Sequence, residues 1–364
     1  MSRRFAALAL VTLGAGCGHR AGGEGAPAAS SSSGASASPP PPTTATADPA
    51  IEALARAAVG CAAYDGALDS SCPAMRAWSE AKEGFDGKAE GTLVAMLADG
   101  DEKMRYLGAY KLKQCGAAFV GDPALAARVV AAAEKEQSPL VAFELGSVVG
   151  HVRVSATGTF DRIAAMVKKH AVRNVRRGIL DELLLNNQDS APVYDLVRGA
   201  IADPDPAVAS LALHSFWMGG SRHPEETCQV YADNEDNHDE ELAAEAANAL
   251  SWSGHCASRY DALLASLERR VKTGVSALTS PSFVSAARHV CEDAKATDAQ
   301  RRRAAQIGRQ VARKKELAGF LRSGALDTVL RCDGGAGGRA FIGRFKADPD
   351  KALADKAREL LAGK

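Results

Sequence analysis

From residue 49 onward the sequence predicts an all-α protein, on three observations. Apolar residues recur at spacings of three and four, alanine is frequent throughout while aromatic residues make up only 5%, and the alternating Val, Ile, Thr and Tyr runs that mark strands are scarce. Equal numbers of basic and acidic side chains, 44 of each, give a formal net charge of zero. Such a chain has no whole-molecule field to draw nucleic acid, so none is expected as a partner.

The N-terminus comes first in order and is not part of that helical region. In MSRRFAALALVTLGAGC, Arg3 and Arg4 form a positive start and Phe5 to Leu13 an apolar stretch. The stretch is shorter than the roughly 20 residues a membrane span requires, so it reads as an export signal. The run Leu13-Gly14-Ala15-Gly16-Cys17 resembles the lipobox of bacterial lipoproteins, with the leucine four residues before the cysteine. A plain secretory signal cut nearby is the alternative. The resemblance implies that residues 1–16 are removed and that Cys17 becomes an acylated N-terminus. The chain would then be a cell-envelope protein that faces the periplasm and is held on a membrane by lipid. No Asp follows Cys17 directly, which by the same resemblance leans toward the outer membrane.

Residues 17–48 are rich in Gly, Ala, Ser, Thr and Pro, with almost no large apolar side chains to offset the entropy of ordering. This tract is expected to be a disordered tether. A flexible chain of this length has an end-to-end distance of about 30 Å, and the run Pro39 to Pro42 favours polyproline II locally.

Within residues 49–364 a weak internal repeat appears, with a period of about 33 to 40 residues. Each segment carries a polar or Asp/Pro-containing turn followed by an Ala-rich amphipathic helix. The clearest are residues 99–116, 136–152, 169–186, 203–220 and 236–255, and shorter apolar helices lie between them at Pro123 to Ala133, Thr159 to Lys169 and Ala191 to Ala202. In Asp203-Pro204-Asp205-Pro206-Ala207-Val208 a loop gives way to a helix with Pro in its first turn, and Asp348-Pro349-Asp350 opens another. Period and turn together resemble HEAT-like repeats. The resemblance implies a right-handed α-solenoid of helix pairs, with a long concave face suited to binding other proteins. Several segments lack the basic residue and the Asp-Pro turn of that family, and an irregular helical bundle is the alternative.

Eight cysteines are present. With Cys17 assigned to lipid, no two of the remainder have the close spacing of a zinc site, so no metal is expected. Disulfides in an oxidising compartment fit better. Proximity along the chain suggests Cys61 with Cys72, Cys228 with Cys256, and Cys291 with Cys332. A loop such as 228–256 contributes roughly 3 to 4 kcal/mol in the chain-entropy model. Cys115 is left as a free thiol, expected to be a small buried hydrophobe at a helix end.

Other clusters carry no chemistry. Asp233 to Glu241 is oxygen-rich but lacks the Gly and Glu of a calcium loop, so Asp239 to Glu241 are expected in the first turn of a helix. His255 and Cys256 are adjacent and point about 100° apart on a helix, unlike a catalytic dyad. The segment Cys332 to Arg339 lacks the Lys-Ser/Thr of a phosphate loop and is expected to be a flexible connection that breaks the helix. Along RRRAAQIGRQVARKK at 301–315, Arg302, Arg309 and Arg313 fall on one helical face opposite Ala304, Ile307 and Val311. That face is solvated, or it contacts an acidic partner or anionic headgroups. Trp78, Trp217 and Trp252 share no common spacing and are expected in the core. No residue stands out as catalytic and no cofactor is implied. The function expected is an interaction scaffold for envelope proteins; the alternative is an envelope enzyme, hydrolase or lyase-like, built on stacked helices.

Overall fold

In the computed structural model, the described residues are 48–64, 66–81, 87–115, 119–219, 223–252, 254–274 and 280–363. The export signal, Cys17 and nearly all of the tether lie outside them. Many helices begin where the sequence supplies a side chain that accepts from otherwise unpaired first-turn N–H groups. Asp48, Asp122, Ser138, Ser280 and Asp350 each cap a helix in this way, and Thr297 with Gln300 forms a capping box. Asp239 accepts from the N–H groups of Glu241 and Leu242 at 2.9 and 3.2 Å. The acidic run 233–241 therefore ends as a helix cap, and Asn237 supports it by accepting from the Asp239 N–H.

The chain divides into two compact units between Ile179 and Leu180. In the first, α1 (Pro49–Val59) is followed by β1 (Ala63–Tyr64) and β2 (Ala67–Leu68), a two-residue antiparallel hairpin and the one strand pair among the described residues. Then come α2 (Pro73–Glu80), α3 (Gly87–Met96), α4 (Glu102–Cys115), α5 (Pro123–Lys135), α6 (Pro139–Gly150), the single turn α7 (Val154–Thr157), α8 (Phe160–Lys169) and the start of α9 (Arg173–Asn186). Helix α4 packs on both α3 and α6, and α5 packs on α6. Gly146 and Gly178 let α6 and α9 touch backbone to backbone. A Cβ at Gly178 would stand 2.2 Å from the Phe143 carbonyl oxygen, so only glycine fits.

The second unit holds the end of α9, then α10 (Ala191–Ala200), α11 (Pro206–Gly219), α12 (Pro224–Asn234), α13 (Glu240–Trp252) and α14 (Tyr260–Thr273). It closes with α15 (Pro281–Glu292), α16 (Asp298–Arg313), α17 (Gly319–Cys332), α18 (Ala336–Gly343) and α19 (Lys351–Ala362). Here the odd-numbered helices form a row, with α11 on α13, α13 on α15, α15 on α17 and α17 on α19. The even-numbered helices pack against this row; buried Ala side chains let helices approach closely and buried Leu side chains fill the remaining space.

The two units share one polar device. Arg105 near the start of α4 donates from Nε and Nη2 to Glu136 at 2.8 and 3.1 Å. The same carboxylate accepts from the Ser138 N–H at 2.7 Å, just ahead of α6. Against a burial that would raise it, Glu136 is thereby held below the usual carboxylate range. In the second unit, Arg322 near the start of α17 donates to Asp348 at 2.8 Å while Asp348 accepts from the Asp350 N–H at 3.0 Å, ahead of α19. The hydrogen bond from Arg322 leads in keeping Asp348 below its ordinary value. In both places one acid fixes a helix start and ties it to the helix two before it in chain order.

Three disulfides are described, each between cysteines adjacent in chain order: Cys61–Cys72, Cys228–Cys256 and Cys291–Cys332. Cys115 is not the free thiol expected. It is a half-cystine, and among the described residues no cysteine is free. Cys115 is the last residue of α4 and half-buried, rather than a core side chain. The segment 332–339 also departs from expectation. Helix α18 begins inside the glycine run, and Gly338 lies so close to the Asp333 carbonyl oxygen that a Cβ would come within 1.7 Å. Glycine here permits tight packing of a helix start.

Candidate binding groove

The residues that stand out in the second unit are aromatic. Along α11, Ala212, Leu213 and Phe216 are buried, which turns the next two side chains outward. Trp217 is 43% exposed and Met218 49%. At the end of α13, Trp252 is 57% exposed. Because α11 and α13 lie side by side, the two indoles meet with ring centroids 5.9 Å apart and planes tilted by 39°. Helix α15 then adds His289, whose ring stands edge-on to Trp252 at 4.3 Å. Three helices of the row thus build one continuous aromatic ridge.

This corrects the expectation for two of the three tryptophans. Trp78 is fully buried in the first unit beneath the Lys111 ammonium, 5.4 Å from its ring. Trp217 and Trp252 are on the surface. Their separation in sequence is one repeat length, which puts them at matching ends of consecutive row helices.

His289 is held in a fixed state. Its Nε2 accepts from Arg288 at 3.2 Å, so the ring proton sits on Nδ1, which faces Ser251 Oγ at 3.3 Å; Ser251 donates onward to the Asn248 carbonyl oxygen. Burial, and then the Arg288 charge, lower its pKa and keep the imidazole neutral.

Beside the ridge lies a groove of about 350 Å³, with Trp217, Phe216, Tyr231 and Trp252 among its walls and Pro224, Thr227 and His255 at its margin. The Cys228–Cys256 disulfide also lines it, joining α12 to the segment after α13. Tyr231 is only 2% exposed and its hydroxyl makes no hydrogen bond. Burial raises the phenol pKa, with Glu245 and then Tyr194 adding to the rise, and neither of those two residues lines the groove. Among the described residues the lining contains no Lys, Arg, Asp or Glu.

The other residues singled out by sequence are dispersed. Arg302 is exposed on α16, but Arg309 is ion-paired with Asp333 and faces the Phe341 ring at 5.8 Å, while Arg313 lies 5.2 Å over the same ring. The acid that meets Arg309 is internal, so the three arginines do not form one open basic face. Cys256 is oxidised and fully buried next to an exposed His255. No group of three or more His, Cys, Asp or Glu able to hold a metal occurs among the described residues. The most perturbed carboxyl is Glu235 at the end of α12, pushed up to about 7 by burial and then by the neighbouring Asp236 charge.

The chain matches no protein-family model and no curated protein.

Proposed function

We propose that this chain is a lipid-anchored cell-envelope protein whose helical part serves as a protein-interaction scaffold, with the ridge of Trp217, Met218 and Trp252 as its contact surface. The single observation that carries the reading is that ridge. Large aromatic side chains are depleted from free surfaces, and a rigid, adjacent pair of exposed indoles has the character of an interface anchor. A HEAT-like right-handed solenoid is the architecture we infer. It is supported by the helix-pair rhythm, by the row of odd-numbered helices in the second unit and by the recurring Arg–acid tie. The three disulfides fit an oxidising, extracytoplasmic compartment, and among the described residues no helix is long and apolar enough to cross a membrane. Attachment then falls to lipid on Cys17.

Crosslinking and pull-down of the full chain from solubilised membranes tests the scaffold. A stoichiometric partner, lost when Trp217 and Trp252 are both changed to Ala, is the expected result; repeated recovery of no partner overturns the reading. Peptide mass mapping tests the anchor. A Cys17 sulfur that carries lipid cannot also join Cys115, so a Cys17–Cys115 disulfide in the membrane-purified chain would refute lipidation.

A further inference from the structure

We infer that the end of α12 beyond Cys228 is a proton-operated latch: it stays joined to α14 while the Glu235 carboxyl keeps its proton, and comes away when that proton is lost. Neither the lipid anchor nor the scaffold reading is needed for this.

Glu235 is the C-cap of α12 and only 7% exposed. Its Oε2 is shut off from solvent and has no hydrogen-bond partner among the described residues. A buried carboxylate without donors is costly, whereas the neutral acid loses far less there. Its place at a helix C-terminus, the negative end of the macrodipole, works in the same direction. The charged groups acting on Glu235 are Asp236, the next residue, which repels its ionised form, and Arg269 and Arg270 of α14, which attract it. Both arginines are already engaged. Arg269 pairs with Asp236, which also accepts from Ser266 Oγ at 2.7 Å. Arg270 donates from Nη2 to the Glu235 carbonyl oxygen at 2.8 Å, and its guanidinium lies 4.3 Å over the Phe283 ring of α15. Burial therefore outweighs both arginines and pushes the carboxyl up to about 7.

The same contacts define what can move. The first half of α12 is pinned covalently, because Cys228 is bonded to Cys256 beyond α13. Its end is joined to α14 through the Asp236 carboxylate and the Glu235 carbonyl oxygen. Asp236 and Arg269 are each more than half exposed, so their ion pair contributes little. An ionised Glu235 regains water by leaving α14, and little resists that movement. Tyr231, on the free side of Cys228, is part of the groove wall beside Trp217 and Trp252, so an open latch loosens that wall while Pro224, Thr227 and Cys228 keep their places.

Linkage sets the direction. The opened carboxyl titrates near its ordinary 4.5 and the closed one near 7, so the latch is tightest in acid and opens more often as pH rises between those values. From pH 5 to pH 8 the opening frequency should rise on the order of 50-fold.

Hydrogen–deuterium exchange of the full oxidised chain at pH 5 and pH 8, corrected for the intrinsic rate and read by mass spectrometry on peptides from 229–237, tests the latch. A rise of that size in this segment is expected, with 224–228, α16 and α17 still protected. Glu235→Gln, which imitates the neutral acid, should abolish the rise. Equal corrected exchange at the two pH values overturns the inference, because the ionised carboxyl would then be accommodated without opening; this comparison needs no variant. A rise that survives Glu235→Gln overturns it too. So does exchange at 229–237 no faster than that of α16 and α17 at pH 8, which would assign the titration to unfolding of the whole unit.

Discussion

The two units use the same residue type to opposite ends. In the first, Trp78 is fully buried, and Lys111, itself without exposed surface, lies over its ring and donates to the Ser79 and Ala81 carbonyl oxygens at 3.1 and 2.9 Å. In the second, Trp217 and Trp252 face solvent, and a disulfide stabilises the ground beneath them. The difference teaches that an indole's role follows from what its helix neighbours leave uncovered. Where α4 closes over α2 the ring becomes core; where row helices end side by side it becomes surface.

The sharpest way to break the contrast is to remove the ring from each place. Trp78→Ala should cost about 3–5 kcal/mol of stability, since it opens a large cavity and strips Lys111 of its aromatic cover. A urea titration followed by circular dichroism reads this directly, and a loss under about 1 kcal/mol would show that Trp78 is not core. Arg322→Ala is expected to be nearly as damaging, about 3–5 kcal/mol, because it empties the site of a buried guanidinium and leaves the charged, half-buried Asp348 with the Asp350 N–H in place of its ion pair. The matching change in the first unit, Arg105→Ala, should cost less, because Arg105 is more exposed than Arg322.

Next in size is the covalent tie. Replacing Cys228 and Cys256 together by Ser should lower stability by about 3.5 kcal/mol in the chain-entropy model for a 28-residue separation. Differential scanning calorimetry with and without reductant checks it, and an identical drop on changing Cys61 and Cys72 would show that the groove's bridge has no special local role. Smaller again is a pH effect confined to the second unit. Folded Glu235 titrates near 7, above its ordinary 4.5, so between those values the folded chain holds a proton that the unfolded chain has released. Stability from this group is full below about pH 4.5 and falls as pH rises through 7. Arg269 and Arg270 on α14 oppose the shift and Asp236 reinforces it. Glu235→Gln should flatten the decline between pH 5 and pH 8; an unchanged slope would assign it to other groups. The smallest stability effect belongs to Trp217→Ala and Trp252→Ala, each under about 1 kcal/mol, as expected for exposed side chains.

Much of the fold was legible because its signals are local. Pro206 after Asp205, and Asp350 ahead of α19, mark helix starts that the structure places at those residues. The shorter helices read at Pro123 to Ala133, Thr159 to Lys169 and Ala191 to Ala202 differ from α5, α8 and α10 by no more than two residues at either end. What escaped depends on contacts between distant residues. The hairpin at 63–68 is too short to show alternation, and the glycine at 338 is explained only by the carbonyl of Asp333. The acid that meets Arg309 is internal and 24 positions away in sequence, beyond the reach of a helical-face pattern. For the groove, the sequence does carry a signal, the single repeat length between Trp217 and Trp252, which a spacing common to all three tryptophans does not show because Trp78 belongs to the first unit. Tyr231 had no signal at all, since an orphaned hydroxyl becomes visible only once its surroundings are built.

The disulfides have a mechanical consequence. If the chain were drawn out by its two ends, the segments closed by Cys228–Cys256 and Cys291–Cys332 would carry no load, because the force passes through the sulfur bridge. With separations of 28 and 41 residues, and up to about 3.4 Å of contour per residue, roughly 95 and 140 Å of chain stay hidden until the bonds are reduced. Pulled in its oxidised form, the C-terminal unit would yield a short extension, and those two loops would stay closed under tension.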